Sequence, residues 1–169
     1  MIRREPVPEH ALHAHYGRDG GYVDCYVTEL PRVVPLAEFV EAFYTTRLFK
    51  LERWILAWSV KKPSTDEQAR EVARGQRGEF AAWSLEARSA DQLLMCDFMS
   101  HTRSWFMSVP LAGRSTRLYF GSVVTARLDP ASGERRPGGV YRALLGFHRL
   151  YSRALLRAAR ARLLLPRMG

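Results

Sequence analysis

The chain has 169 residues, of which 47% are hydrophobic and 25% charged, with a formal net charge of +9 at pH 7. That is the size of a single domain that buries a core without disulfides or metals, and the mixture excludes a low-complexity or fibrous chain. No run reaches the roughly 18 apolar residues that a membrane-spanning helix needs, and the first residues lack the apolar stretch of a signal peptide, so a cytoplasmic location is expected.

Cys25 and Cys96 are too few and too far apart for a disulfide framework and are expected reduced, packed as small hydrophobes. Lys50, Lys61 and Lys62 are the only lysines, so 23 of the 26 basic residues are arginine. Such a balance suits nucleic acid, an anionic membrane surface or an acidic small molecule, but arginines spread on a helix are first of all a solvated face.

Residues 1–20 read as a flexible arm, because Pro6, Pro8, Gly17, Gly20 and Gly21 interrupt any periodicity, and residues 21–169 as the single folded domain. His10, His13 and His15 cluster in the arm, yet no cysteine or acidic partner follows at a ligand spacing. A solvated tail, no metal and no cofactor are therefore expected. The segment YVDCYVTEL, residues 22–30, is rich in β-branched and aromatic residues and predicts a strand closed by Pro31 and Pro35. From Leu36 to Val60 the apolar period is helical, with a bend at Thr45 and Thr46. Ser64 and Glu67 have the capping-box spacing, predicting a short helix over Thr65–Arg74 that ends at Gly75.

The period then becomes two. EFAAWSLEAR predicts a strand with Ala81, Trp83, Leu85 and Ala87 on one side. QLLMCDF is apolar on both sides and predicts a strand buried on both. In TRSWFMSVP, Arg103, Trp105, Met107 and Val109 share one side, and in TRLYFGSVVTARL the more apolar side is Leu118, Phe120, Val124 and Ala126. An antiparallel meander is the economical topology. After a loop over residues 129–139, a helix over 139–163 carries Tyr141, Leu144, Leu145, His148, Leu155, Ala159 and Leu163 on one stripe. Arg142, Arg149, Arg153, Arg157, Arg160 and Arg162 take the opposite side, and Pro166 stops the helix.

Strand, helices, antiparallel meander and the long closing run GVYRALLGFHRLYSRALLRAARARL together resemble the helix-grip fold of the START and Bet v 1-like (SRPBCC) superfamily, in a bacterial subgroup. The resemblance spans about residues 22–164 and rests on element order. It implies an α+β fold in which an antiparallel sheet wraps around a long C-terminal helix, with helices inserted after the first strand. It also implies a hydrophobic cavity between sheet and helix and, in some members, lyase, cyclase or hydrolase chemistry. Fewer strands are legible here than the superfamily commonly has, which predicts a smaller or more open cavity. A cone-shaped NTF2-like domain is the alternative, but such domains usually end on a strand.

If the apolar side of TRSWFMSVP faces inward, Arg103 points inward with it and needs a partner. Asp97, Asp24 or Glu86 would supply one within the protein, and a ligand carboxylate would do so from outside; the internal ion pair is the favoured reading. His148, on the apolar stripe of the closing helix, is either a packed core histidine or an acid and base. Trp105, Tyr119, Tyr26, Asp24, Trp58, Trp83 and Tyr151 complete the candidate lining, although aromatics at such spacing are first of all core. There is no glycine-rich phosphate loop, nucleophile elbow, HExxH pair or paired CxxC, so catalysis would rest on Asp24, His101, Arg103 or His148 converging. The leading expectation is a small hydrophobic or amphipathic ligand, with an anionic group allowed, held between sheet and closing helix. An enzyme using the same pocket is the second. A basic surface binder of anionic lipid or, less favoured, nucleic acid through Arg149, Arg153 and Arg157 is the third. A homodimer is left open.

Overall fold

The computed structural model describes the backbone of residues 1–59, 61, 63–128, 135–136 and 139–165. In chain order the elements are β1 (Arg3–Arg4), α1 (Ala14–Arg18), β2 (Tyr22–Val23), β3 (Tyr26–Leu30), α2 (Leu36–Tyr44), α3 (Arg47–Ser59) and α4 (Asp66–Ala73). β4 (Glu79–Phe80), β5 (Trp83–Arg88), β6 (Gln92–Asp97), β7 (Thr102–Leu111), β8 (Ser115–Val124), β9 (Arg127–Leu128), β10 (Arg135–Arg136) and α5 (Gly139–Leu164) follow. One open antiparallel sheet runs in the order β1-β3-β8-β7-β6-β5-β4, with β2 also paired to β8, while β9 and β10 form a separate two-stranded pair. The meander β4 to β8 is sequential, and β3 closes onto the far side of β8 in register from Tyr26↔Phe120 to Leu30↔Thr116.

The architecture is α+β, with α5 at the C-terminus packed against the sheet, an arrangement compatible with a helix grip. Tyr26, Leu30, Leu93, Met95, Phe106, Leu118 and Phe120 form the inner face of the sheet. They meet Phe39, Val40 and Phe43 of α2 and Leu155, Leu156, Ala159 and Leu163 of α5 in one buried cluster. Arg32 fastens the far end of α5: its Nε donates to the Leu163 carbonyl at 3.0 Å and its Nη2 to Glu38 Oε1 at 2.7 Å. A guanidinium there satisfies a terminal carbonyl and offsets the helix dipole. No described helix is long and apolar enough to cross a membrane.

Several expectations shift in physically informative ways. The bend at Thr45 and Thr46 is a true break between α2 and α3, and Thr46 Oγ caps α3 by accepting from the Phe49 N–H at 3.1 Å. The cap of α4 lies one residue later than the Ser64 and Glu67 spacing suggests. Thr65 Oγ1 accepts from the Gln68 N–H at 3.2 Å and Gln68 Oε1 accepts from the Thr65 N–H at 3.0 Å. EFAAWSLEAR is not one strand but a hairpin, in which Phe80 pairs with Trp83 and Ala81 takes a positive φ of 53°. The strand expected over residues 22–30 breaks at Asp24 and Cys25, where the chain passes from β2 to β3.

The largest correction concerns which side of β7 faces in. Strand parity does place Arg103 with Trp105 and Met107, but this is the outer side, away from α5. Cys25, Val27, Leu94, Trp105 and Met107 form a second buried cluster there, covered by Ala11 with Val7, Leu12, Ala14 and Tyr16. The segment expected to be a loose arm thus supplies the second cover of a sheet whose central strands are apolar on both faces. His13, expected in a solvated tail, is fully buried, with its ring 4.3 Å from that of Trp105.

Candidate functional site

Where α3 and α5 cross the inner face of the sheet they leave a cavity of about 200 Å³. Phe43, Phe49, Phe120 and Leu155 give it apolar walls, and Glu52, Trp83, Thr102, Ser104, Ser122, His148, Tyr151 and Ser152 give it polar ones. About 150 Å³ suffices for a benzene-sized guest, so this volume takes a single ring with a short substituent.

Its polar walls form two separate units. On one, β8 presents Ser122 inward between Phe120 and Val124. Asp24, in the break between β2 and β3, lies opposite, and its Oδ1 accepts from both the Ser122 N–H at 2.8 Å and the Ser122 hydroxyl at 2.7 Å. The carboxylate takes the place that a ladder carbonyl holds elsewhere in the sheet. His148 Nε2 lies 2.6 Å from the same hydroxyl oxygen. A carboxylate only accepts, so the single hydroxyl proton of Ser122 goes to Asp24, and His148 Nε2–H donates to Ser122. Tyr22 donates to Asp24 Oδ2 at 3.1 Å, and Arg149 Nε donates to the Tyr22 hydroxyl at 3.2 Å. The serine therefore stands between histidine and aspartate, an order unlike that of a nucleophilic triad, in which the histidine is central. Burial pushes the His148 imidazole below its ordinary pKa, with the Asp24 charge working against it.

The second unit faces it from α3. Tyr151 of α5 donates to Glu52 Oε2. Burial raises the Glu52 carboxyl above the usual carboxylate range, with the tyrosine hydrogen bond working against the shift. Burial, and then the Glu52 charge, push Tyr151 up as well. The indole N–H of Trp83 is enclosed and has no hydrogen-bond partner among the described residues. An enclosed donor without an acceptor costs about 1–3 kcal/mol, which a guest bearing an acceptor would recover.

Of the candidates read from the sequence, Arg103, His148, Tyr151 and Trp83 line this cavity. Asp24 sits behind Ser122, one hydrogen bond away. Arg103 borders the cavity, but its guanidinium is engaged on the outer side. It bonds Glu86 Oε2 at 2.9 Å and the Ser100 carbonyl at 2.6 Å and lies 4.7 Å from the Tyr16 ring centroid. Glu86 is thus the internal partner, while Asp97 instead ties the turn after β6 through the N–H groups of His101 and Thr102. Trp105 is fully buried in the outer cluster, where its Nε1 donates to Gln92 Oε1 at 2.8 Å. Tyr119 packs on that same outer cluster, Tyr26 is in the inner core, and Trp58 is exposed on α3. The cavity residues that were not among the sequence candidates include Glu52, Ser122, Phe43 and Phe49. Glu52 and Ser122 did carry a signal, since each is a polar residue on an otherwise apolar face.

Compared with protein-family models, with curated proteins and with solved structures, the chain matches none, so the functional argument rests on the geometry of its own residues.

Proposed function

We propose that this protein binds a small, neutral, amphipathic molecule in the cavity between the inner face of the sheet and the helices α3 and α5, in the manner of a helix grip. The observation that carries the proposal is a cavity with apolar and polar walls whose lining includes Trp83, a residue whose enclosed indole N–H has no hydrogen-bond partner among the described residues. Phe43, Phe49, Phe120 and Leu155 would enclose the apolar body of the guest. Its acceptor atom would meet the Trp83 indole and, when Glu52 is protonated, the Glu52 carboxyl proton. The Arg103 guanidinium is engaged by Glu86 and the Ser100 carbonyl, so it is not free to pair with a ligand carboxylate. A neutral ligand is therefore preferred over an anionic one.

Acetophenone, ethylbenzene and benzoate separate these requirements, and titration calorimetry reads them. Saturable binding of acetophenone, weaker binding of ethylbenzene and still weaker binding of benzoate at pH 7 are expected. A Leu155→Trp variant that fills the space should abolish all three. Equal affinity for the three, or binding that survives Leu155→Trp, would remove the proposal. Glu52 donates only while protonated, so acetophenone affinity should fall as pH rises through its raised pKa, and Glu52→Gln, which keeps a donor, should flatten that dependence.

Two proton-carrying groups, Glu52 and His148, border one cavity, and this favours acid–base chemistry as a second reading. Exchange of the methyl protons of bound acetophenone in deuterium oxide, followed by NMR, tests it. Exchange above the buffer rate that is lost in Glu52→Gln and in His148→Gln would support an enzyme. A bound probe that does not exchange would leave a binding protein.

A further inference from the structure

Large apolar side chains crowd the outside of the two helices that frame the cavity. On α3, Arg47, Leu51, Trp54 and Trp58 fall at spacings of four, three and four and so share one stripe. Leu51, Trp54 and Trp58 are 54%, 61% and 79% exposed, and the two indole rings lie 6.3 Å apart. On α5, Phe147 and Leu150 are each 66% exposed. The stripes adjoin at the cavity wall: Tyr151 bonds Glu52, the neighbour of Leu51, and Phe147 stacks on Tyr151 at 5.9 Å. Scattered exposed hydrophobes need no explanation, but five on two adjoining helices make a patch.

Its surroundings are basic. The sequence of α5 holds no acidic residue, and Arg149, Arg153 and Arg157 are exposed along it. Arg153 and Arg157 have no carboxylate partner among the described residues, and together with Arg160, Met1 and Ile2 they line a shallow groove. Arg47 is exposed at the head of the α3 stripe. Aromatic rings that combine an apolar body with a polar N–H, flanked by arginines, suit the boundary between lipid head groups and acyl chains. A second copy of this chain fits poorly, since a two-fold contact through this face would oppose arginine to arginine.

We infer that the α3 and α5 face docks on an anionic phospholipid bilayer, with Trp54, Trp58, Phe147 and Leu150 entering the interface and the arginines of α5 engaging the head groups. This differs from a purely electrostatic contact through Arg149, Arg153 and Arg157, because the apolar residues carry part of the affinity. It also places the lipid surface beside the cavity wall, although the docking does not depend on what the cavity binds.

Cosedimentation with vesicles of phosphatidylcholine mixed with phosphatidylglycerol, against vesicles of phosphatidylcholine alone, tests the inference. Binding to the mixed vesicles, weakening with added salt and accompanied by a blue shift of tryptophan emission, is the expected result. Trp54→Ser with Trp58→Ser, and separately Phe147→Ser with Leu150→Ser, should each lower partitioning by about tenfold or more, the equivalent of about 1.4 kcal/mol. All four side chains are exposed, so the variants should keep the thermal midpoint of the parent. Absence of binding, equal binding to both vesicle types, or undiminished binding by the folded double variants would each overturn it. A concentration-dependent dimer that the same variants dissolve would overturn it in favour of a second copy.

Discussion

Gly121 sits where three elements meet. A Cβ added there would lie 2.6 Å from the Asp24 carbonyl oxygen, 2.8 Å from His13 Nε2 and 2.9 Å from Trp105 Cε3. The nearest obstacle is backbone, which cannot rotate away, so overpacking strain of about 1–3 kcal/mol or more is expected from Gly121→Ala. A fall in the denaturation midpoint by urea measures it, and an unchanged midpoint would contradict the close approach of the Asp24 backbone to Gly121. His13 tests the same contact through pH. Burial lowers its pKa to about 4, against a weaker opposing hydrogen bond to the Asp24 carbonyl. The folded state then holds fewer protons than the unfolded chain between an ordinary histidine value near 6.5 and about 4. Stability from this group is therefore complete above that range and lost as pH falls through it, by on the order of 3 kcal/mol. His148 is shifted in the same direction, so the comparison to make is between the parent and His13→Gln. The variant should lose less stability between pH 7 and pH 4, and an identical acid slope in both would contradict the burial of His13.

At the scale of elements, the joint between α3 and α4 is held by Arg53. Its guanidinium bonds Asp66 Oδ1 at 2.6 Å, the Ser64 carbonyl at 2.5 Å and Ser64 Oγ at 2.9 Å, and lies 5.3 Å from the Phe80 ring centroid. Arg53→Met leaves these acceptors unmet while keeping the side chain's apolar stem. A loss of about 1–3 kcal/mol is expected in chemical denaturation, whereas Lys50→Met, which removes the more exposed partner of Asp66, should cost under about 1 kcal/mol. Equal costs would contradict the assignment of Arg53 as the tie. Much at this scale was legible in the sequence, because caps and breaks act locally. Two threonines interrupt a helical period, a capping-box pattern announces α4, although it reads as Ser64 and Glu67, one residue before the Thr65 and Gln68 that cap it, and the alternation in β7 and β8 gives their sides. What was not legible depends on distant residues. Alanine is not a turn former, so the hairpin at Ala81 has no local signature. Parity says that Arg103 and Trp105 share a side but not which side α5 takes, because that is settled by the N-terminal segment folding back on the sheet. Glu52 and Ser122 belong to the site only because α3, α5 and β8 converge.

The whole molecule is a sheet covered twice, by α2 and α5 on the inner face and by residues 5–20 on the outer one. The inner layer leaves the candidate cavity, and the polar groups on its walls come from β5, β7, β8, α3 and α5, elements far apart in sequence. A chain lacking residues 1–20 should expose Trp105, Met107 and Leu94, bind a hydrophobic dye and unfold at lower temperature; parental behaviour would contradict the two-cover architecture. The central claim, that the inner cavity receives a neutral guest through the Trp83 donor, is tested most directly by the Trp83 indole N–H resonance in a proton–nitrogen correlation spectrum, assigned by its loss in Trp83→Phe. Addition of acetophenone should move that resonance downfield along a saturable curve, while ethylbenzene moves it little. An indole signal that stays in place while acetophenone is saturably bound, or no saturable binding at all, would contradict the account.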